Sequence, residues 1–492
     1  MLAFYRKYIK DIGVILILGP FIGFMLTKAG TLSSKWFVVS LLITCGMSFI
    51  FMIPKREKFL LLSFVFLIPM RFKYHPVFID SYSMGRAWPV DGMVIFLSDI
   101  IFFTLCAFWI YHLVTDPHER VCFFPWVSFP FLMIWVLAVA NSSQNLTPKV
   151  VYITVIAIAF KNWLIFLYIA NHLKNKPKML YMITAVIILT LVHPSAIGFL
   201  QYIKGEVLGL GFLGEPTAAF EYSVDGEAGE FRAFGTRGSP NRFASFIHMI
   251  LTLVLSLLFA PIDRRYKYVL MSIFALGGFT LLVTFSRGAW TGFSLGATII
   301  VYWCMVRING LKVINFIVVM SVMATFAIST ILLVKPIRDR LFKDDGGSSS
   351  IRVHMKTNCY NMIKHHPLLG VGLGNYTEYS KYYDNTGTIG VSMEFPWPVH
   401  NEYLLIAVEL GIPALVIFIF LLLVIFFMLF RIGCSHTDPI IPFIGIGFFG
   451  SFVAWCFHHQ YDFFWTIIQS GIWVNIGVIQ AMYYISQKDA YP

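Results

Sequence analysis

The sequence predicts an all-α polytopic membrane protein of about fourteen transmembrane helices (12–14), with a large outer-face loop between late helices. Three observations predict it. Of 492 residues, 58% are hydrophobic and only 13% charged, whereas soluble domains carry roughly one quarter charged residues. Apolar runs of about 17 to 25 residues, the length that crosses a bilayer, recur from end to end. The alternating segments of roughly ten residues that mark a transmembrane β-barrel are not visible.

Taken in order, the first apolar run, Ile12 to Leu26, follows Arg6, Lys7 and Lys10 as a signal peptide would. No small-x-small cleavage site closes it and further spans follow at once, so it reads as a retained first helix. The expected spans are 12–29, 35–53, 58–70, 93–114, 122–141, 150–171, 179–203, 242–260, 267–285, 288–306, 312–334, 401–430, 438–457 and 463–484. The third is short and reads as tilted or partly interfacial. With the N-terminus inside, the cytoplasmic connections hold Lys55/Arg56/Lys58, Arg120, Lys174/Lys176/Lys178, Arg264/Arg265/Lys267, Arg307/Lys312 and Arg431. The short outer connections have one lysine each. That asymmetry places both termini in the cytoplasm and the long loop outside, where its length exempts it from the charge rule. The chain divides into N-terminal helices and outer loops (1–241), central helices (242–334), an outer loop with an amphipathic helix (335–400) and C-terminal helices (401–492).

The net charge of +12 follows from those connections and does not point to nucleic acid, because no basic-aromatic module accompanies it. Of seven cysteines, Cys45, Cys106, Cys304 and Cys456 fall in apolar runs as small hydrophobes, and no disulfide or metal spacing is present. No cofactor is expected, and no i,i+4 histidine pair supports a metal.

Three stretches carry candidate chemistry. Phe285-Ser286-Arg287-Gly288-Ala289-Trp290 joins two spans with almost no loop. An arginine at mid-membrane costs roughly 2.5–3.5 kcal/mol on insertion scales, so Arg287 either snorkels at the interface or clamps an anion with its planar fork. Ser349-Ser350-Ile351-Arg352 begins a predicted helix whose apolar positions Ile351, Met355, Cys359 and Met362 share one face, as in a helix lying on a membrane surface. Arg352 near the positive end of that helix suits an anionic ligand. His400-Asn401-Glu402 stands where the long loop re-enters the membrane. His400 is either a helix-start residue or a base able to take a proton from a sugar hydroxyl near neutral pH. Weaker candidates are Lys161-Asn162 within a span, His193-Pro194, which reads first as a kink, and His458-His459-Gln460-Tyr461-Asp462. Lys161 is either buried against a carboxylate or marks a shorter helix. The histidine run either reaches the same cavity or is a polar turn.

Five motifs in order resemble the bacterial O-antigen ligase and O-antigen polymerase family of membrane glycosyltransferases. They are Gly238-Ser239-Pro240-Asn241-Arg242-Phe243-Ala244, Ser286-Arg287-Gly288-Ala289-Trp290, Arg352, His366-Pro367-Leu368-Leu369-Gly370-Val371-Gly372-Leu373-Gly374-Asn375-Tyr376 and His400-Asn401-Glu402-Tyr403-Leu404. The resemblance covers about residues 235 to 412. It implies a GT-C-like architecture in the bacterial cytoplasmic (inner) membrane, with the active site on the outer, periplasmic face. It also implies metal-independent transfer of a glycan from an undecaprenyl-diphosphate-linked donor to a sugar hydroxyl. Arg287 and Arg352 match the family's two essential arginines and His400 its essential histidine. Arg237, Asn241, Asn401, Glu402, Arg338 and Arg340 complete the expected substrate-binding set, with Asn401 or Glu402 fixing the tautomer of His400. Expected partners are the lipid-linked donor, a glycan or lipid-linked acceptor, membrane lipids and other polysaccharide-assembly proteins. Polymerisation of a surface polysaccharide is the leading reading. Ligation of finished glycan to lipid A core is the alternative within the class, and a lipid-linked oligosaccharide flippase the alternative outside it. The gathering of ionisable residues at one face, without a long internal repeat, favours an enzyme over a transporter.

Overall fold

The computed structural model describes residues 55–70, 72–79, 88–141, 146–215, 221–222, 230–310, 314, 316–317, 321, 332–342, 348–384 and 397–488. The expected spans at 12–29 and 35–53 lie outside these residues, and the span at 312–334 lies largely outside them. Residues 1–61 and 62–492 form two compact units, and apart from the start of α1 everything below concerns the second.

Each of the other eleven expected spans contains helix. They are α1 (Arg56–Leu67), α2 (Leu97–Thr115), α3 (Pro125–Ala140), α4 (Lys149–Leu173), α5 (Pro177–Leu189) with α6 (Val192–Lys204), α7 (Pro240–Phe259), α8 (Arg264–Leu282) and α9 (Arg287–Asn309). After three shorter helices, α10 (Lys335–Phe342), α11 (Ser348–His365) and α12 (Tyr376–Tyr383), come α13 (Glu402–Cys434), α14 (Ile441–His458) and α15 (Ser470–Lys488). Among the described residues, seven segments are long and apolar enough to cross a membrane: α2, α4, α5 with α6, α7, α9, α13 and α14. The chain is an integral membrane protein. Two short antiparallel hairpins interrupt the helices, β1 (Lys73–Phe78) with β2 (Gly92–Phe96) and β3 (Glu221–Tyr222) with β4 (Glu230–Phe231).

Two boundaries differ from the hydropathy reading for local reasons. Residues 93–96 are strand, and α2 starts at Leu97 because Asp99 Oδ2 accepts the Phe96 amide at 3.1 Å. The other oxygen of Asp99 meets Lys161 Nζ at 2.7 Å, both groups buried. Lys161 is thus the buried partner of a carboxylate, the arrangement that lets two charges sit inside a helix bundle. The span at 179–203 breaks at Thr190–Leu191, which puts His193 and Pro194 in the first turn of α6, where proline's missing N–H is tolerated.

The packing that positions the site is between α9 and α14. A Cβ on Gly292 would stand 2.6 Å from the Ala454 carbonyl oxygen, and one on Gly296 2.4 Å from that of Gly450. Small residues four apart on both helices let the backbones touch, the small-xxx-small packing common between membrane helices. That contact sets the N-terminus of α9 against the C-terminus of α14.

Helix α11 departs from its expectation. Its face of Met355, Cys359 and Met362, with Ile351 beside it, does not rest on a membrane surface. It packs on Val371, Tyr376, Val399, Leu405, Val408 and Trp465 of the same chain. Helical spacing defines a face that must be covered but not what covers it. Burying each methionine contributes about 1.5–3 kcal/mol, which holds this layer on the start of α13.

The glycine-rich run after α11 fits into a break in α13. Gly411 is non-helical (φ 86°), and Pro413 has no N–H for the Glu409 carbonyl one turn back. The Gly372 amide donates to that carbonyl instead at 2.9 Å. Val371 N–H donates to Val408 O, and Ile412 N–H to Pro367 O, each at 2.8 Å. Gly370 requires its glycine: φ is +68°, and a Cβ would lie 2.4 Å from Val408 O.

Candidate active site

The site is built where α7 and α9 begin and α14 ends. Phe285 adopts a left-handed conformation (φ 51°) and reverses the chain from α8 into α9 without a loop. Ser286 is the N-cap of α9, but its hydroxyl does not cap the helix. It lies 3.3 Å from Nε2 of His458, whose Nδ1 is 3.2 Å from Nε2 of the buried His248. Arg287 opens the 23-residue helix. A side chain at Gly288 would crowd its neighbours, since a Cβ would stand 3.1 Å from the His458 ring and 3.3 Å from Tyr461. The Ser-Arg-Gly junction is therefore a packed joint between helix α9 and the end of α14.

Four arginines from four stretches line one recess of about 340 Å³ here: Arg232, Arg287, Arg340 and Arg352, with Asn241, Ser286, His458 and Tyr461. All four arginines are half-buried. Two are held by hydrogen bonds. Arg232 donates from Nε to Thr284 O at 2.9 Å and from a terminal nitrogen to Asn241 Oδ1 at 3.0 Å. Arg340 donates from Nε to Phe285 O at 3.2 Å. Ile337 of α10 packs on Phe285, with Leu341 one turn on, and this anchors Arg340 over the junction. Guanidinium groups and the positive end of α9 together make a site for a multiply charged anion, and among the described residues no carboxylate lines it.

His400 stands beside the recess without lining it. Its Nδ1 is 3.1 Å from Oδ1 of Asp462, and its side chain is 29% exposed. Donation of Nδ1–H to that carboxylate leaves Nε2 as the acceptor, the orientation a general base needs. Burial alone would raise the Asp462 pKa. The hydrogen bond and charge of His400, the charge of His458 and the Phe463 amide outweigh it and hold the carboxyl well below its ordinary value. Asp462 follows Tyr461, a wall of the recess, so one short turn after α14 serves both places.

The carboxylate that meets His400 is Asp462 and not Glu402. Glu402 is buried and accepts three backbone amides, Phe464 at 2.7 Å, Trp465 at 3.2 Å and Thr466 at 2.7 Å. Asn401 caps α13, accepting Leu404 N–H at 2.9 Å and donating to Gln460 O at 3.1 Å. Both residues shape the turn that carries Asp462. Arg338 points away, with its side chain 47% exposed and 3.7 Å from Asp339. Arg237 lines a different cavity, where its guanidinium lies 4.8 Å from the Phe246 ring. The recess thus gathers Arg287, Arg352, Arg340 and Asn241 from the sequence candidates. It adds Arg232, which shares a run with Arg237 and which sequence reasoning passed over, and His458. Of the two readings of the 458–462 run, the one that reaches the cavity is found.

The family model described as O-antigen ligase matches residues 270–419, a stretch that contains Arg287, Arg340, Arg352 and His400. No curated protein matches. Among solved structures, one described as "Structural coordination of polymerization and crosslinking by a peptidoglycan synthase complex" holds a chain 13% identical to this one. The match covers 74% of this chain and 97% of that chain, with a TM-score of 0.33. Over residues 270–419, 150 of its 492 residues, the chain is thus similar to the O-antigen ligase family, whose members transfer glycan.

Proposed function

We propose that this protein polymerises a surface polysaccharide at the outer face of the bacterial cytoplasmic membrane, transferring glycan from an undecaprenyl-diphosphate-linked donor to a sugar hydroxyl. The observation that carries the reading is the recess of four arginines at the N-terminus of α9, with a histidine–aspartate pair beside it. The acceptor oxygen attacks the anomeric carbon, the bond from that carbon to the diphosphate oxygen breaks, and the electron pair leaves with the diphosphate. Arg287, Arg352, Arg340 and Arg232 hold the diphosphate and neutralise the charge that grows on its leaving oxygen. The acceptor's proton passes to Nε2 of His400, and Asp462 stabilises the imidazolium. No step assigned to these residues calls for a metal ion.

The test is direct. Purified protein is incubated with a lipid-linked repeat unit alone, and the products are run on a gel. A ladder supports polymerisation. Product formed only when a separate acceptor such as lipid A core is added would make the protein a ligase. No product with either acceptor, from protein that is folded and binds donor, would remove the reading.

A further inference from the structure

Three buried side chains stand in line behind the arginine recess. Nε2 of His248 in α7 is 3.2 Å from Nδ1 of His458 at the end of α14, and Nε2 of His458 is 3.3 Å from Oγ of Ser286. All three residues are buried, yet His458 and Ser286 also line the recess beside its four arginines. The line is held from both sides. Ser451 Oγ of α14 donates to the carbonyl of Met249, the residue after His248, at 3.0 Å. The glycine contact between α9 and α14 sets Ser286 against His458. Nδ1 of His248, at the far end, is buried and meets no hydrogen-bond partner among the described residues.

That far nitrogen decides the direction of the whole line. Buried N–H groups are very rarely left without an acceptor, and unused acceptors are the lesser fault, so the His248 proton belongs on Nε2, where it has a partner. A neutral imidazole has one donor and one acceptor. His248 Nε2–H therefore donates to a bare His458 Nδ1, and the proton of His458 sits on Nε2 and donates to Ser286 Oγ. The neighbouring His459 shows the same preference: its Nδ1 donates to Trp455 O at 2.7 Å, and its Nε2 is the buried nitrogen without a partner. The reverse line, from Ser286 to His458 to His248, would leave an unpaired N–H on His248. A second proton on either ring repeats that fault or sets two N–H groups face to face. Ser286 has one hydroxyl hydrogen, and with its oxygen accepting from His458 that hydrogen is left to point into the recess. We propose that Ser286 is a further ligand-binding residue, an uncharged donor to a phosphoryl oxygen, and that His248 and His458 are positioning residues that turn its hydrogen toward the recess. A phosphoryl oxygen carries only lone pairs, so a donor fixed in direction suits it, and the line adds this bond without adding charge to four clustered guanidinium groups. The proposal rests on the glycan-transfer reading above and deepens it.

The experiment uses the full chain in nanodiscs, with farnesyl diphosphate as the probe. Ile247-His248 and Phe457-His458 are the only Ile-His and Phe-His pairs in the chain. Carbonyl-labelled isoleucine or phenylalanine combined with nitrogen-labelled histidine therefore assigns each ring in solid-state NMR spectra. Both rings should show a protonated Nε2 and a bare Nδ1 near neutral pH, with and without the probe. Ser286→Ala should weaken binding about tenfold or more, as expected for a lost hydrogen bond to a charged group, and Ser286→Thr, which keeps the hydroxyl, should retain it. His248→Leu should also weaken binding, and His248→Gln, whose amide N–H stands in for Nε2–H, should restore most of it. Adding His248→Leu to Ser286→Ala should cost nothing more, because the histidine acts through the hydroxyl, whereas independent structural damage would multiply the losses. A proton on Nδ1 of His458 would overturn the proposal, as would wild-type affinity in Ser286→Ala. So would multiplied losses in the double variant, His248→Gln binding as weakly as His248→Leu, or wild-type protein that binds farnesyl diphosphate no better than farnesol. Neither readout needs turnover, so protein with the expected tautomers and binding that transfers no glycan would count against the catalytic reading alone.

Discussion

At the scale of single residues, the site separates groups that face the recess from groups that hold others in place. Arg287→Ala and His400→Ala should insert normally and lose at least two decades of glycan transfer in a lipid-linked extension assay, since removing one stabiliser of developing charge costs about 10²–10³ in rate. Arg352→Lys should also fail if the planar fork matters, and wild-type rates in that variant would show that point charge suffices. Asp462→Asn should fall by a similar factor, and combining it with His400→Ala should add little, because the aspartate acts through the imidazole. The sequence offered Arg287 and His400 as candidates because each sits in a short motif at the edge of an apolar run, and Arg352 because it falls near the start of a predicted amphipathic helix. Arg232 was not offered. It lies five residues before Arg237 in one turn-rich run, and only the bonds to Thr284 and Asn241 decide which of the two faces the recess. Asp462 was named within a candidate run, but its pairing with His400 was hidden, because Glu402 stands closer to His400 in sequence but spends its oxygens on the 464–466 amides.

At the scale of elements, apolar run length located the helices well, while their ends and partners depended on single polar groups. The start of α2 depends on Asp99, and the break in α13 on Gly411 and Pro413. The glycine-rich run read as turns, and its role as a wedge bonded into a helix break follows only once both strands of the chain are in place. Two predictions belong here. Gly296→Val places its Cβ against the Gly450 carbonyl at 2.4 Å, so α9 and α14 must separate and carry Ser286 away from His458. Transfer should fall by tenfold or more even though no charge changes, and the Tm should drop with it. Gly370→Ala meets both a left-handed φ and the Val408 carbonyl. It should destabilise the layer of α11, α12 and the start of α13 by about 1–3 kcal/mol, read as earlier protease cleavage between α11 and α13.

At the scale of the whole molecule, the recess is assembled from Arg232 and Asn241, residues 285–288, Arg340, Arg352, and His458 with Tyr461, and motif reading sees each piece without seeing that they meet. What joins them is the layer of α11, α12 and the α13 start, and its ionisation gives a test of that layer as a unit. Cys359 is fully buried within it, and burial pushes its thiol up to about 12 from 9.0. The buried Tyr376 phenol is raised as well, again by burial first. Both folded-state values exceed the unfolded ones, so their contribution to stability is complete below pH 9 and is lost as pH rises toward 12. Asp462 has the opposite sign: its folded value lies below 3.8, so its contribution is present above that pH and is lost as pH falls through the folded value. The layer should therefore keep constant stability from about pH 5 to 8.5 and weaken on either side. A maleimide pulse in membranes reads this through Cys359, which should stay protected across that window and become labelled more than tenfold faster by pH 10.5, after correction for thiolate content in the unfolded protein. Labelling of Cys359 at pH 7.5 at the rate of the exposed Cys434 would show that the layer does not close over α13, and the arginines it carries would then have no fixed place in the recess.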